Sequence, residues 1–492
     1  MKKTPRSRPL KTLNKGNLSD DSSRRTFVKN VAALGVLSTT TSLSRETNSE
    51  STTQSKYARH SSQTDCDVAI IGAGLAGLIA ARELKQQGFT CQILEARNRL
   101  GGRVFTTKFA GHKVELGGNW TFWGNPHMWA EITRYGLNLD SDLGTSAPEE
   151  VYWITDGKLK KGDYGALDSI LRGPINEFFR DAWGVYPNPY DPLLSKAQAE
   201  ADTLSVQDGI DRKNLNQEEQ DLVASFFGAV CSNFNTNVSL LQALHWFRLH
   251  SDYNSYGNAM MYKIREGTTA LVDAIVADAR AEISLGTPVI SVKQESQQAV
   301  LTTDTGATIS ARAVLIAVPV NTLDDIEFSP PLMPQKTEMA KQRHGGSGVK
   351  FYARIKGSLP PLMAFAADTA PASMIFTVDN LEDSAIVCGL GPSPKLLDLN
   401  DDKQMQAAIR QWLPQAEVLE SFGYDWNLDP YSQGMWCAFR PTQITNYLSA
   451  LQQSENRLFF AGGDIANGFR GFMDGAVESG LRAARELAES LS

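Results

Sequence analysis

The sequence predicts an α/β fold with a largely parallel sheet, and two observations predict it. Apolar runs over residues 67–71 and 90–94 have the length and composition of buried strands, and a helical stretch over residues 75–87 lies between them. A glycine-rich turn joins the first strand to the helix. A strand, a glycine-rich turn, a helix and a second strand in this order are typical of a Rossmann-like domain.

The turn has the spacing Gly72-x-Gly74-x-x-Gly77. In such a turn the first glycine makes the tight bend, the second lets the backbone approach a pyrophosphate, and the third lets the helix pack closely on the strand. The helix N-terminus offers unpaired N–H groups to the phosphates. Glu95 follows the second strand, where an acidic side chain can accept hydrogen bonds from ribose hydroxyls. These residues predict a dinucleotide site and leave NAD and FAD open.

Length and charge limit the class of protein. The chain has 492 residues, a formal net charge of −7 and 42% hydrophobic residues, as expected of a large soluble enzyme. Basic residues are concentrated in the first 60 residues, so the remaining chain is acidic, which argues against nucleic-acid binding. The five cysteines and six histidines show no metal-ligand spacing. The sequence therefore predicts neither a nucleic-acid partner nor a metal site.

The sequence pattern of residues 1–63 predicts a leader followed by a linker. The segment SRRTFVKNVAALGVL places Arg24 and Arg25 before a short apolar run, and it resembles a twin-arginine export signal. The run is far shorter than the roughly 20 residues that a membrane span needs. A Ser/Thr-rich tract over residues 38–63 is typical of a flexible linker. We therefore expect export to the periplasm of a body without a stable membrane span.

Segments from residue 95 onward indicate which of the two cofactors, NAD or FAD, the chain binds. Residues 95–103 have the sequence EARNRLGGR, residues 115–119 have ELGGN, and the C-terminal part contains LFFAGGD at 458–464 and GFMDGAVESG at 471–480. In these segments the chain resembles the flavin-containing amine oxidase family, and within it the bacterial nicotine oxidoreductases and pseudooxynicotine amine oxidases. The resemblance extends from about residue 65 to the C-terminus, and it implies that the dinucleotide is FAD.

The resemblance implies an FAD-binding domain built from discontinuous segments, residues 64–120, 256–320 and 430–492, because FAD spans a long groove. An α+β substrate-binding domain is expected from residues 121–255 and 321–429, folded over the flavin. The residues expected to bind the cofactor are Gly72, Gly74, Gly77, Glu95, Arg97, Gly102, Arg103, Val289, Asp464 and Met473.

Lys350 is a candidate catalytic residue. It stands in the segment GGSGVKFYARIKG, where strand alternation places it on one face with Tyr352, Arg354 and Lys356. That pattern alone fits a solvated strand face equally well. The resemblance favours function, because a lysine at the matching position of the family reaches a water beside flavin N5.

The resemblance also implies two aromatic side chains that flank the flavin and guide the amine to N5. They are Trp436 in YSQGMWCAF and Phe472 in GFMDGA, with two ordinary buried rings as the alternative. Family members with a covalent flavin carry a cysteine directly before the first aromatic, where this chain has Met435. Cys437 lies two residues further on, and in a strand it would point to the same side as Met435. FAD is therefore expected to be non-covalent.

The implied reaction is FAD-dependent oxidation of an amine of nicotine type or of an aromatic amine. The hydride of the amine α-carbon passes to flavin N5, and water hydrolyses the imine to an aldehyde or ketone. Either O₂ or an electron-carrier protein would take up the electrons, and the assembly could include a homodimer.

Three alternatives stay open at the level of sequence. An L-amino-acid oxidase needs a cation, typically an arginine, for the substrate carboxylate, whereas residues 119–123 contain neither Arg nor Lys. A carotenoid-type desaturase shares the glycine turn but needs a long apolar tunnel or a membrane patch. A non-catalytic flavoprotein used for binding or electron relay is the third.

Overall fold

The computed structural model describes residues 64–193 and 195–492, so the predicted leader and linker, residues 1–63, lie outside the described part. Strands and helices follow one another along the described chain. The strands are β1 Cys66–Ile71, β2 Cys91–Leu94, β3 Thr106–Phe109, β4 His112–Glu115, β5 Trp120–Thr121, β6 Leu139–Asp140, β7 Glu150–Thr155, β8 Lys158–Gly162, β9 Tyr262–Ile264, β10 Glu282–Ser284, β11 Val289–Gln294, β12 Ala299–Thr303, β13 Thr308–Ile316, β14 Glu327–Ser329, β15 Val349–Lys356, β16 Leu362–Phe365, β17 Met374–Asn380, β18 Ser384–Gly391, β19 Val418–Gly423 and β20 Leu458–Phe460.

The helices lie mainly between β5 and β10 and at the C-terminus. They are α1 Leu75–Gln86, α2 Pro126–Arg134, α3 Leu143–Ser146, α4 Tyr164–Val185, α5 Lys196–Asp202, α6 Val206–Asp211, α7 Gln217–Cys231, α8 Leu240–His250, α9 Tyr253–Gly257, α10 Thr268–Ala279, α11 Pro334–Gln342, α12 Asp402–Arg410, α13 Gln443–Gln452 and α14 Met473–Leu491. Short 3₁₀ helices span Asn235–Asn237, Val320–Asp325 and Gly463–Ile465. None of the helices in the described ranges combines the length and hydropathy that a bilayer crossing requires.

The first sheet has eight strands and carries the glycine turn. Its order is β10-β2-β1-β13-β12-β11-β14, with β20 also paired to β13. The strands β10, β2, β1, β13 and β20 are mutually parallel, and β12 runs antiparallel to its two neighbours. Helices α1, α10 and α14 pack on this sheet over a shared apolar core. The predicted α/β class is confirmed.

The predicted βαβ unit is close to the observed one. The strand predicted over 67–71 begins one residue earlier, and the helix predicted over 75–87 ends one residue earlier, at Gln86. Gly88 has a φ of 91°, which any other residue would adopt only with strain, so the chain turns away from the helix there. These elements were predictable because their signals are local.

The second sheet has seven strands in the order β19-β15-β18-β17-β16-β7-β8. Only the β16–β7 pair is parallel. Strand β15, next to the edge strand β19, buries Val349, Phe351, Ala353 and Ile355 against α12. The sheet draws its strands from the predicted substrate-binding segments, and the described residues all belong to one compact unit. The division into two domains therefore stays a prediction.

The interpretation of the other face of β15 as solvated is wrong. Lys350 and Tyr352 are buried there, Arg354 is half-buried, and Lys356 is exposed. The first half of this face packs against the segment that follows β4, since the Tyr352 hydroxyl donates to the carbonyl oxygen of Glu115 at 2.9 Å. Alternation of charged and apolar residues gave the correct strand but not its environment, which is set by a contact distant in sequence.

Helix α1 and strand β1 approach each other most closely at Gly77. A β-carbon placed on Gly77 would lie 2.2 Å from the carbonyl oxygen of Gly72 and 3.2 Å from the side chain of Ile70. No side chain can be accommodated at the first of these distances without a backbone shift. The third glycine of the motif is thus required by packing, as its spacing predicted.

We expect Gly77→Ala to lower the melting temperature and the amount of FAD that co-purifies, because the methyl group must push α1 away from the turn. Overpacking of this kind costs on the order of 1–3 kcal/mol. Thermal unfolding and flavin absorbance of the purified protein measure both effects. Gly184→Ala is the matched control, since Gly184 is exposed in α4 and its added β-carbon would meet nothing within 4 Å. The control should melt at or slightly above the wild-type temperature, and equal melting of Gly77→Ala would contradict the packing argument.

Candidate active site

The glycine turn and the N-terminus of α1 form one end of the site. Gly74 is the N-cap of α1 without a side-chain capping bond, and a β-carbon placed on it would meet no protein atom within 4 Å. Gly102 lies close by, since its β-carbon would be 3.3 Å from the Cα atom of Gly74. The helix N-terminus is therefore lined by bare backbone, which suits the close approach of a phosphate.

Glu95 connects this turn to the loop after β2. The buried carboxylate accepts from the backbone N–H of Ala73 at 2.8 Å and from that of Arg97 at 2.9 Å. Each carboxylate oxygen has capacity for a further hydrogen bond. The predicted ribose contact remains compatible with this arrangement, and the observed bonds add a second task, which is to hold the turn in place.

Arg97 makes an ion pair rather than presenting a free guanidinium. It pairs with Asp429 and donates to the Ser432 hydroxyl at 2.8 Å, with its guanidinium carbon 5.4 Å from the centre of the Tyr431 ring. Burial raises the pKa of Asp429, but Arg97, the Tyr424 hydroxyl and the backbone N–H of Tyr431 together bring that pKa below its usual value. The side chain of Arg97 thus ties two distant segments together, and its role toward the cofactor stays a prediction.

Arg103 joins three segments at the centre of the site. Its guanidinium donates to the carbonyl oxygen of Met435 at 2.8 Å and to Asp464 at 2.7 Å. The other oxygen of Asp464 accepts from the backbone N–H of Val320 at 3.1 Å. Burial would raise the pKa of Asp464, but Arg103 holds it below its usual value. Both predicted cofactor residues therefore act at least as the clamp of the groove.

Met473 and Val289 stand at the ends of elements that border the groove. Met473 begins α14, and a β-carbon placed on Gly118 would lie only 2.7 Å from its sulfur. Phe472 is the N-cap of α14 and makes no capping bond through its side chain. Val289 begins β11 and is buried. Two helix N-termini without side-chain caps, glycine-lined backbone and a buried acid after β2 together fit FAD, as the sequence predicted.

The two predicted cage aromatics lie on adjoining segments. A β-carbon placed on Gly471 would be 2.5 Å from the carbonyl oxygen of Cys437, so the backbones before Phe472 and after Trp436 touch. The indole N–H of Trp436 donates to the carbonyl oxygen of Val230 at 3.1 Å. Both rings are half-buried. The structure therefore brings Trp436 and Phe472 into one region, while their action as a cage stays a prediction.

The strand predicted around Met435 and Cys437 is wrong. No strand is formed over residues 431–440. The N–H of Met435 donates to the carbonyl oxygen of Gly346 at 3.0 Å, and the carbonyl oxygen of Met435 accepts from Arg103. The argument that Cys437 shares a side with Met435 therefore loses its basis. Cys437 is fully buried, and burial raises the pKa of its thiol well above the usual value. A neutral, enclosed thiol is a poor nucleophile, which agrees with non-covalent FAD.

Lys350 lies beside the double glycine of the ELGGN segment. It is 1% exposed, and its amine donates to the carbonyl oxygen of Gly117 at 3.2 Å. The amine also lies 4.7 Å from the centre of the Trp120 ring. Burial lowers its pKa. Because the neighbouring Gly118 contacts Met473, the structure brings Lys350 to the same region as Phe472. Sequence reasoning did not identify Trp120, although it directly follows ELGGN.

A wall of rings extends from the cage into the helices. Phe122 stacks on His250 at 5.1 Å, His250 contacts Phe469 at 5.3 Å, and Phe469 contacts Phe472 at 6.0 Å, while Trp246 meets Phe472 edge-on at 5.4 Å. Residues 119–129 and 245–262 are rich in aromatic side chains, but the sequence does not show which rings meet. Burial lowers the pKa of His250 to about 4, so this ring is neutral at neutral pH.

One group among the described residues has metal-ligand atoms close together. Atoms of His344, Cys437 and Asp464 lie within 4.8 Å of one another. Arg103 already occupies one oxygen of Asp464, and burial keeps the Cys437 thiol protonated. Metal binding requires the thiolate. The absence of a metal site stays a prediction.

The chain is similar in sequence to known flavin-dependent amine oxidoreductases. The sequence profile of the family described as flavin containing amine oxidoreductase matches residues 75–488. A pseudooxynicotine dehydrogenase from a Pseudomonas species is 41% identical over 97% of this chain and 98% of its own length. A nicotine dehydrogenase from Pseudomonas putida is 33% identical over 96% of this chain and 98% of its own length.

Solved structures of low identity share the fold. A triple mutant of putrescine oxidase, made in a redesign of cofactor binding, has a TM-score of 0.76 at 21% identity and covers 86% of this chain and 99% of its own. Cyclohexylamine oxidase from Brevibacterium oxydans has a TM-score of 0.74 at 21% identity, over 87% of this chain and 99% of its own. The family match and the glycine-lined groove together confirm the predicted cofactor and reaction: the chain belongs to the flavin-containing amine oxidoreductases and oxidises an amine with FAD.

Proposed function

We propose that the substrate is a nicotine-type amine and that a carrier protein, rather than O₂, takes up the electrons. The observation that carries the proposal is the 41% identity to a pseudooxynicotine dehydrogenase over almost the whole of both chains. The nicotine relative at 33% identity is also named a dehydrogenase. The (S)-6-hydroxynicotine oxidase of Paenarthrobacter nicotinovorans is only 24% identical, so the dehydrogenase comparison has more weight.

The site supports a neutral amine as the bound form. When bound, FAD supplies the two-electron acceptor for the hydride of the amine α-carbon, and water then hydrolyses the resulting imine. Trp436 and Phe472 would orient the α-carbon, and the apolar wall behind Phe472 excludes water. His250 is neutral at neutral pH, and the lowered pKa of Lys350 reflects the same dry surroundings. These residues position and desolvate the amine without serving as its base.

Arg470, the arginine next to Phe472 in the described chain, does not suit an amino-acid oxidase. Arg470 precedes Phe472 by two residues, but it is 0% exposed. Its guanidinium donates to Gln242 at 3.1 Å and contacts the His245 ring at 3.2 Å. A guanidinium enclosed in this way cannot receive a substrate carboxylate without unpacking α8, which favours an amine without a carboxylate.

The proposal is tested by adding amines to the purified holoenzyme without oxygen and following loss of the yellow flavin colour. Nicotine and pseudooxynicotine should bleach it faster than tyramine, phenethylamine or putrescine. An L-amino acid that bleached it fastest would overturn the substrate class. Admitting air should then restore the colour slowly compared with turnover on an added electron-carrier protein or dye, and rapid recovery in air would show an oxidase.

We predict that Trp436→Ala and Phe472→Ala each lower kcat/KM for the best amine at least about tenfold, or about 1.4 kcal/mol of transition-state stabilisation. The reason is that a misplaced α-carbon reacts slowly, and a shift of about 1 Å can cost on the order of a hundredfold. FAD content should stay near normal. Full turnover with reduced FAD content in both variants would instead make these rings cofactor packing. Trp183→Ala is a matched control, because this exposed tryptophan lies at the end of α4.

We predict that Glu95→Ala weakens retention of FAD more than it changes turnover measured with excess FAD. The variant loses both the proposed ribose contact and the bond that holds the N–H of Ala73. Glu95→Gln should retain part of the affinity, because an amide oxygen can still accept one of these bonds. Titration of the apoprotein with FAD measures both variants, and unchanged affinity in Glu95→Ala would remove this residue from the cofactor site.

We also propose export by the twin-arginine route to the periplasm. The alignment with the pseudooxynicotine dehydrogenase covers 97% of this chain and therefore reaches into residues 1–63. A folded export route suits a protein that binds FAD before it crosses the membrane. Replacing Arg24 and Arg25 with lysine should leave active enzyme in the cytoplasm, as cell fractionation would show. Unchanged distribution of the double variant would contradict the proposal.

A further inference from the structure

The ammonium of Lys350 has few partners for a buried charge. A lysine amine has three N–H donors, and only one bond, to the carbonyl oxygen of Gly117, is made among the described residues. The acids that influence it are engaged elsewhere in the described chain, since Asp142 pairs with Lys263 and Glu115 accepts from the N–H of Thr268. The other close contacts of the Lys350 amine are the faces of the Trp120 ring at 4.7 Å and the Tyr352 ring at 5.6 Å. An indole face within about 6 Å is the strongest aromatic partner for a cation.

The Trp120 ring is itself fixed. Its indole N–H donates to Asp142 at 3.1 Å, and its face meets Phe376 edge-on at 5.6 Å. Trp120 and Lys263 are opposite each other on β5 and β9, and the Lys263 amine pairs with the second oxygen of Asp142. Asp142 is buried. One oxygen of Asp142 therefore accepts from the Trp120 indole, and its other oxygen is paired with the Lys263 ammonium.

We propose that Trp120 is a positioning residue for Lys350, with Asp142 and Lys263 locking its indole. The inference rests on the proposed role of Lys350 beside the reacting atoms and concerns how that lysine is held. The indole face takes the place of a carboxylate, so the amine is kept in a fixed position while its remaining N–H donors stay available to the substrate side. An ion pair at this point would instead tie those donors to an acid.

Among the groups near Lys350, the Trp120 ring is the contact whose removal tests the proposal. Burial lowers the pKa of Lys350. That pKa is also influenced by Cys388 on β18, Glu115 on β4, Asp142 and Lys263 on β9. A ring that stabilises the ammonium raises that pKa. Removal of the ring should therefore shift the limb of the pH–rate profile that reports on Lys350 toward lower pH. A purely structural substitution would leave that limb in place.

The test is a double-mutant cycle with Trp120→Leu and Lys350→Met, read as the rate of flavin reduction by the best amine and of its subsequent reoxidation. Lys350→Met identifies the step that depends on the lysine. In the presence of Lys350, Trp120→Leu should slow that same step by about tenfold. It should also shift the Lys350 limb of the pH–rate profile to lower pH. In the Lys350→Met background the same substitution should change that step less than about twofold. Trp120→Phe, which keeps an aromatic face, should retain most of the rate, and it serves if the leucine variant does not fold.

Trp123→Leu is the matched control, because this tryptophan is 52% exposed and three residues along the same segment. It should leave the rate and the pH limb unchanged. Equal losses from Trp120→Leu in both lysine backgrounds would overturn the inference and make the ring simple packing. Failure of the wild-type holoenzyme to be reduced by any amine would instead contradict the proposed function, so the two failures are distinguishable.

Discussion

The ion pair between Arg103 and Asp464 is the interaction on which the rest of the site depends. It joins residues that are 361 positions apart in the sequence. Because the same guanidinium binds the carbonyl oxygen of Met435, it also sets the path of the chain into Trp436. Asp464 in turn fixes the backbone at Val320. Asp464 is buried and Arg103 half-buried, so loss of Arg103 would leave an unpaired buried carboxylate; for fully buried pairs such a loss typically costs about 3–5 kcal/mol. The groove is therefore assembled by tertiary charge pairing and not by any one segment.

Sequence reasoning succeeded where the physical cause is local. The turn at Gly72 and Gly77 was predictable because close backbone approach and a positive φ select glycine at fixed spacing. The position of Glu95 after β2 was predictable for the same reason. The family resemblance then supplied Lys350, Trp436 and Phe472, and the structure brings these three to one region. Their individual roles still await measurement.

What could not be predicted depends on partners distant in the chain. The assignment of Arg97 to the cofactor stays a prediction, and its ion pair with Asp429 is a contact that no local pattern indicates. The alternation around Lys350 gave a strand but not the burial of that lysine, which follows from docking of β15 on the end of β4. The expected strand at Cys437 is absent, and the carbonyl oxygen of the nearby Met435 accepts from Arg103, a partner distant in the sequence. These gaps have one origin, because sequence periodicity shows which residues alternate along a strand but not which distant residues they contact.

The distribution of buried charge explains how such a site can handle an amine without a base of its own. Burial lowers the pKa of His245 to about 3 and that of His250 to about 4, so the helical wall holds neutral rings at neutral pH. On the opposite side Glu115 has one carboxylate oxygen bonded to Thr268 and the Thr106 hydroxyl, and burial raises its pKa. On the proposed placement of the amine between Trp436 and Phe472, a protonated amine would have to give up its water beside these neutral rings. Desolvation would then favour loss of the amine proton before hydride leaves the α-carbon. In this proposal the two rings and the dry surroundings select the reactive form of the substrate.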